Sequence, residues 1–263
     1  MSSLLILPVE WLIEKSILLG TQYHIIQMIL EKFLEFEFVE DEKQVYTIEC
    51  RLGKQGPLHM ALNQFVNLTS NYQQPIVNPT SSAAPDCIRA LCRIKNTHDE
   101  LICPHFFTRD EDIEPAWNKP LTYWRRLRKF GRCISTDFSI YENMVDAQKR
   151  WNSFRNKFLS AMWQKLGIDV IPAPSWGNNI ADIDYYMEGW PVNSLIAINS
   201  TGVGKDKHSQ HLYLDGYNAM LEILRPMHII RYGEYIEGEN ADISTFYPND
   251  ARKEVYNGSK LLV

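Results

Sequence analysis

Short apolar runs alternate with longer amphipathic stretches between residues 100 and 234, and this alternation constrains the fold more than any other feature of the chain. Each run has the length and residue types of a buried strand, and each amphipathic stretch has the periodicity of a helix. The strands recur about every 30 residues, which is typical of βαβ units and a parallel sheet. The five runs that predict strands are "ELICPHFF", "CISTDFSIY", "IDVIPAPSW", "SLIAINSTGVG" and "HIIRYGE".

Three amphipathic stretches between these runs predict helices: "KPLTYWRRLRKFG", "MVDAQKRWNSFRNKFLSAMWQKLG" and "DKHSQHLYLDGYNAMLEILRP". The second ends at Gly167 and the third at Pro226, residue types that commonly end helices. A closed β/α barrel needs eight strands, and only five are visible. We therefore predict an α/β fold with a mostly parallel open sheet flanked by helices. A partial or distorted β/α barrel is the second choice.

The N-terminal third has a different pattern. Apolar residues at helical spacing in residues 8–38 predict two helices, and "QVYTIECRL" predicts a strand. The composition then shifts to "NLTSNYQQPIVNPTSSAAP", which is typical of a linker or surface loop. We predict an α+β appendage over 1–74, a linker or long loop over 75–99, and the α/β domain over 100–263. The N-terminal helices are the predicted surface for a protein partner or for self-association.

Composition excludes several classes of protein. Hydrophobic residues make up 45% of the chain and charged residues 22%, which argues against disorder. The net charge of -5 argues against an overall nucleic-acid footprint. The first 20 residues lack a basic region and are interrupted by charges, so we expect no signal peptide and no membrane association. Five cysteines, an odd and sparse set, favour thiols in the cytoplasm.

Several pieces of the chain resemble one family. They are "HFF" followed by "WNKPLTY", then "DFSIYENM", "RNKFLSAMWQKLGIDVIPAPSW", "AINSTGVG" and "RYGE", which together span about residues 100–238. In order and spacing they resemble Domain of Unknown Function family 4417, an uncharacterised family of bacteria, phages and mobile elements. The resemblance implies a shared fold. It implies no activity and no catalytic residues.

Polar residues follow the predicted strands, where ligands bind in parallel α/β sheets. We predict Asp137 as a catalytic residue, either a general base or a carboxylate that faces a metal. An alternative is that Asp137 and Ser139 cap the helix that begins near Met144 while Trp176 simply packs. The predicted ligand-binding residues are Ser139, Trp176, Ser200, Thr201, Gly202, Gly204, Lys205 and Tyr232.

The glycine loop "STGVGKDK" lies between a strand and a helix, where backbone N–H groups can bind phosphate and Lys205 would add a positive charge. Its spacing matches neither a Walker A loop nor G-x-G-x-x-G, so a plain turn is the alternative. A basic run with interleaved aromatic residues predicts a nucleic-acid contact, against a solvated helix face. Its residues are Arg125, Arg126, Arg128 and Lys129.

Metal binding has little support in the sequence. Cys87, Cys92, Cys103 and His105 have the residue types of a zinc site, but their spacing is loose and includes no C-x2-C pair. We therefore predict no metal site and name no cofactor. The zinc question stays open.

Two functions follow from these residues. The first is an α/β protein that binds a phosphate-containing ligand, a nucleotide or nucleic acid, at the C-terminal ends of its strands, with hydrolysis as a further activity. The second is a non-catalytic phage or mobile-element protein that acts through surface contacts. If Asp137, Trp176, Ser200 and Thr201 converge on a cavity of roughly 300 Å³ or more, the first function is favoured, and if they are packed shut, the second is favoured.

Overall fold

The computed structural model of the chain describes residues 58–80, 83–94 and 101–249, apart from the side chains of Ala61, Gln64 and Lys205. Most of the predicted N-terminal appendage, including both of its helices, lies outside these residues. The strands are β1 Cys87–Ala90, β2 Ile102–His105, β3 Arg132–Ile134, β4 Asp169–Ile171, β5 Leu195–Asn199, β6 His228–Gly233 and β7 Ser244–Pro248. The helices are α1 Asp110–Asn118, α2 Pro120–Leu127, α3 Asp146–Lys165, α4 Ile183–Met187 and α5 Lys207–Leu224.

Every described strand pairs in parallel, in three open sheets: β1–β2, β3–β4 and β5–β6–β7. The sheets adjoin in chain order, because β2 lies beside β3 and the N–H of Ala197 in β5 donates to the carbonyl of Pro172 just after β4 at 2.8 Å. Within the described residues the hydrogen-bonded ladders do not close into a barrel. The predicted α/β fold with parallel strands is therefore confirmed, and β1 and β7 extend it.

Strand β5 shows why the apolar runs are continuous rather than alternating. Leu195 and Ala197 pack into a cluster that also receives side chains from β1, β2, β3, β4 and β6. Ile196 and Ile198 point to the other face, against α4 and α5. A strand buried on both faces needs apolar residues at every position. Burial of each large apolar side chain stabilises the fold by about 1.5–3 kcal/mol.

The long helix α3 is buried around most of its circumference. The predicted apolar stripe is present in part, since Phe158 and Met162 are fully buried whereas Trp151 and Phe154 are only partly covered. Polar side chains on the other faces, including Asn156 and Ser160, are buried as well. The helix ends before Gly167, whose φ of 86° lies in the left-handed region that glycine adopts without strain.

Residues in the predicted linker range pack on the domain. Strand β1 lies inside residues 75–99, and the N–H of Val77 donates to the carbonyl of Gly189 at 2.8 Å. The polar composition suggested a solvated loop, but Thr80 is buried and its hydroxyl donates to Asp169 at 2.6 Å. Hydrogen bonds of this kind allow a polar segment to lie against the domain.

A buried lysine on α3 is expected to make stability depend on pH. The ammonium group of Lys157 is surrounded by Gln74, Ser153 and the carbonyl of Tyr185, at 3.1–3.2 Å. Burial lowers the pKa of Lys157 from 10.5 to about 7, against the raising effect of the Glu188 charge. Between these two pH values the unfolded chain holds a proton on this lysine that the folded chain has lost. The free energy of unfolding therefore gains a contribution that grows as the pH rises through this range.

Replacing Lys157 with methionine should remove this contribution. We expect the free energy of unfolding of the wild-type chain, relative to Lys157→Met, to rise between pH 7 and pH 9 by up to about 1.4 kcal/mol per pH unit. Urea unfolding at several pH values measures it, and taking the difference cancels the titration of the buried thiols. Exposed Lys165 lies on the same helix, so Lys165→Met is the matched control. A difference that does not change with pH would contradict the prediction.

Candidate functional site

A cavity of about 280 Å³ lies where the C-terminal ends of the strands meet the start of α5. It is formed by the segments that follow β2, β3, β4 and β5, together with the first two turns of α5. Four of the predicted site residues, Asp137, Ser139, Trp176 and Thr201, line it. Other residues in its walls include Phe107, Glu142, Ser175, Asn178, Asn199 and Tyr213. The volume is just below the range for small-ligand sites, about 300–1,000 Å³.

Asp137 is held in place by residues of two other elements. Its Oδ2 accepts a hydrogen bond from Nδ2 of Asn199, the last residue of β5, at 3.0 Å. The backbone of the next residue, Phe138, is fixed by Asn156 of α3, whose Oδ1 accepts from the Phe138 N–H at 2.8 Å and whose Nδ2 donates to its carbonyl at 3.2 Å. The carboxylate therefore has a defined position at the end of β3.

The environment of Asp137 favours its protonated form. Burial raises the pKa of Asp137 to about 6; the Asn199 hydrogen bond opposes this shift, and the nearby charge of Asp110 adds to it. A carboxyl group with a pKa near neutrality can both accept and release a proton. The capping alternative does not describe this residue, since α3 begins after Val145, whose N–H donates to the side chain of Gln148 at 3.3 Å.

Trp176 forms an aromatic wall of the cavity. Its ring lies 5.5 Å from the ring of Tyr213 on α5, measured between centroids. The indole also fits against Gly216 so closely that a β-carbon there would overlap Nε1 and Cδ1 of Trp176 and lie 2.7 Å from its Cε2. Glycine at this position of α5 therefore makes room for the indole.

The predicted anion site at the glycine loop stays a prediction, and the loop lies beside a carboxylate. Gly204 packs directly against the carboxylate of Glu234, which does not favour a phosphate at this point. Ser200 is buried outside the cavity lining, and its hydroxyl lies 2.5 Å from the carbonyl of Glu234. Gly202 has a φ of 86° and serves as a turn residue. The side chain of Lys205 lies outside the described part of the chain.

Tyr232 and the basic run are also separate from the cavity lining. Tyr232 is buried in the apolar cluster, stacks on Phe107 with centroids 5.1 Å apart, and donates its hydroxyl to Asn249 at 3.1 Å. In the basic run, Arg126 donates to the carbonyls of Leu91 and Ile94 at 2.6 and 3.0 Å. Arg128 lies over the Trp124 ring, while Arg125 and Lys129 are exposed. Arg126 therefore holds the backbone after β1 in place.

The four residues of zinc-ligand type do not form a recognisable metal site in the described part of the chain. Residues 58–80, 83–94 and 101–249 contain no group of three or more His, Cys, Asp or Glu side chains placed to hold a metal ion. Burial raises the pKa of Cys103 to about 12, so this thiol stays protonated. Cys87, Cys92, Cys103 and Cys133 are thiols rather than disulfides.

Sequence reasoning missed several side chains at the cavity. The ammonium group of Lys149, buried on α3, donates to Oδ1 of Asn178 at 2.6 Å and so fixes a wall residue. Glu142 lies 3.4 Å from Nε2 of His208, which joins the loop after β3 to α5. The signal for Asn178 was its position two residues after Trp176. No sequence feature marks Lys149 as part of the cavity, because a lysine on an amphipathic helix is usually solvated.

A second hollow of about 370 Å³ lies between α1 and α3. Its walls include Asp110, Glu114 and Arg155, and Arg155 donates to Glu114 and Asn152 at 2.7 and 2.6 Å. Asp110 connects the two hollows, because its Oδ1 accepts from the N–H and hydroxyl of Ser139 at 3.1 and 2.9 Å. The strand ends do not contribute to this hollow. It therefore supports the first cavity structurally and is not the candidate site.

The chain is similar to proteins of two mycobacterial phages. It is 32% identical to the Gene 1 protein of Mycobacterium phage L5 over 139 residues, which is 53% of this chain and 60% of that protein. It is 30% identical to the Gene 1 protein of Mycobacterium phage D29 over 146 residues, 55% of this chain and 54% of that protein. The chain thus matches little more than half the length of either relative. No solved structure matches it.

The described residues contain no helix that is both long and apolar enough to cross a membrane. A family model, described as a domain of unknown function (DUF4417), matches residues 67–249. This range is wider than the resemblance over residues 100–238 and takes in β1 and β7. Because the match covers well over half of the chain, the chain belongs to the DUF4417 family.

Proposed function

We propose that the chain binds a nucleotide, or the end of a nucleic acid, with the base in the cavity beside Trp176 and Asp137. The observation that carries the proposal is the combination of a partly exposed carboxylate and an indole in one cavity at the strand ends. Aromatic side chains stack on bases, and carboxylates accept hydrogen bonds from base N–H groups. The volume suits one base with its sugar.

The charges of the site determine where a phosphate group would go. Asp137 and Glu142 line the cavity, and no lysine or arginine does so among its described residues. A phosphate beside Asp137 would be repelled, so we place it outside the mouth, near the start of α5. Lys205 and Lys207 follow the glycine turn there, and Lys207 is exposed. This position keeps the predicted phosphate ligand and Lys205 but does not use the backbone of Gly204, which lies against Glu234.

Hydrolysis, the further activity predicted from the sequence, would use Asp137 as the general base for a water molecule, and it requires a ligand whose scissile bond, rather than its base, lies beside this carboxylate. The raised pKa and the fixed position of Asp137 support this role. We also propose that the protein acts in the cytoplasm, which is supported by its four described thiols. If no ligand binds, the second function remains, that of a non-catalytic protein that acts through surface contacts.

A thermal-shift screen of the purified chain tests the proposal with nucleotides and short single-stranded oligonucleotides. A ligand at 100 times its Kd should stabilise the fold by about 2.7 kcal/mol and raise Tm by roughly 5–10 °C. Asp137→Ala should remove most of the shift, and Lys205→Ala should reduce it for phosphorylated ligands only. Exposed Asp242, in the turn before β7, provides the control Asp242→Asn. No shift with any ligand, at millimolar concentrations, would overturn the proposal.

A further inference from the structure

We infer that the cavity selects guanine above the other common bases, because guanine presents two adjacent N–H donors beside a carbonyl acceptor. The inference rests on the proposed nucleotide binding and adds the class of base. It is carried by the hydrogen-bond directions of two adjacent side chains, Asp137 and Asn199.

Asp137 offers the ligand an acceptor. Its Oδ2 accepts from Asn199, and its Oδ1 has no hydrogen-bond partner among the residues that the structure describes. The residue is partly exposed and lines the cavity. An ionised carboxylate accepts hydrogen bonds only. A ligand atom that meets this oxygen must therefore carry a proton.

Asn199 offers a donor next to that acceptor. Its Oδ1 accepts from the N–H of Thr201 at 3.0 Å, and its Nδ2 donates to Asp137. Exchanging O and N of the amide would set an oxygen against a carboxylate and a nitrogen against an N–H, so the orientation is fixed. The amide nitrogen carries two protons, and only one is used. The second is left to donate to a ligand.

Asp137 accepts and Asn199 donates, so the pair is complementary to a ligand edge that donates to Asp137 and accepts from Asn199. Guanine has N1–H and the 2-amino group for the carboxylate, and its 6-carbonyl lies next to N1 for Asn199. Hypoxanthine and uracil share the N–H and carbonyl but lack the amino group. Adenine and cytosine can turn their amino group to Asp137 and their ring nitrogen to Asn199, but they have no second donor for the carboxylate. A site built for hydrogen bonds rejects ligands that leave its buried groups unpaired.

Calorimetric titration of nucleosides at pH 7.5 tests the inference. We expect guanosine to bind about tenfold to a hundredfold more tightly than adenosine, cytidine or inosine, each of which offers the carboxylate one donor fewer. Asp137→Asn keeps the shape and can still accept from Asn199, but it turns an N–H₂ group toward the ligand. Xanthosine has a carbonyl where guanosine has its amino group. The variant should therefore lose affinity for guanosine and gain affinity for xanthosine.

The wild-type chain provides a second measurement that does not depend on a variant. Guanosine affinity should fall as the pH drops through about 6, because protonation of Asp137 replaces the acceptor with a donor. Asp242→Asn, at an exposed position, should retain both the preference and the pH dependence. If adenosine binds as well as guanosine, or if Asp137→Asn keeps the guanosine preference, the base selection is overturned and nucleotide binding stands. If no nucleoside or nucleotide binds, both fail.

Discussion

Replacing Gly216 with alanine is expected to abolish most ligand binding while leaving the chain folded. The new β-carbon would overlap two atoms of the Trp176 indole and lie 2.7 Å from a third. The indole is rigid, and all three atoms belong to it, so the whole ring must move. Because Trp176 lines the cavity, this movement removes its aromatic wall. Loss of base stacking costs about 1–3 kcal/mol of binding free energy, or roughly tenfold to a hundredfold in Kd.

The effect of Gly216→Ala on stability should be small, since two changes oppose each other. Alanine favours the helix over glycine by about 1 kcal/mol, whereas displacing a packed side chain costs about 1–3 kcal/mol. Titration calorimetry and thermal unfolding separate binding from folding. Asn218 is exposed two residues further along α5, so Asn218→Ala is the matched control and should change neither. If Gly216→Ala binds nucleotide like the wild-type chain, Trp176 is not part of the site.

Replacing Asn156 with leucine is expected to cause a large loss of stability. Asn156 is fully buried and satisfies both backbone groups of Phe138. Leucine is similar in size but can make neither hydrogen bond, so a buried N–H and a buried carbonyl lose their partner. Each unsatisfied group costs about 1–3 kcal/mol, which gives about 2–6 kcal/mol in total. A typical domain is stable by only about 5–15 kcal/mol.

Urea unfolding measures the change, and ligand titration of any folded Asn156→Leu protein measures its effect on Asp137. We expect weaker binding as well, because the backbone next to Asp137 is no longer held. Asn218→Leu makes the same substitution at an exposed position and should alter stability by no more than about 0.5 kcal/mol. Equal stabilities of the Asn156 and Asn218 variants would show that the turn after β3 is fixed by other contacts.

The sequence predicts the strands that are buried on both faces. Strands β2 to β6 all lie on the five apolar runs, and only Arg132 of β3 precedes its run, because burial on both faces demands continuous apolar residues. Strand β7, with most of its residues exposed or half-exposed, carries no such signal. Helix α1 was missed because Pro115 lies inside it and interrupts the pattern. Strand β1 is four residues long, which is too short for a periodicity to be seen.

The candidate site was predictable only as far as strand ends could be located. Asp137, Trp176 and Thr201 were found because each follows a strand, and parallel strands bring such residues to one edge. Ser200 lies between two cavity residues in the sequence, yet its hydroxyl lies against the carbonyls of Tyr232 and Glu234 rather than in the cavity. The contact between Gly204 and Glu234 joins positions 30 residues apart, so no local pattern reveals it. Pairings of this kind depend on packing rather than on spacing.

A crystal structure of the chain with guanosine monophosphate is the most direct measurement of the central claim, that the strand ends form one ligand cavity around Asp137. We predict the base beside Trp176, its N–H edge within hydrogen-bond distance of Asp137, and its phosphate outside the mouth near the start of α5. A nucleotide bound elsewhere on the chain, or strand-end loops that fill the cavity with their own side chains, would contradict the claim.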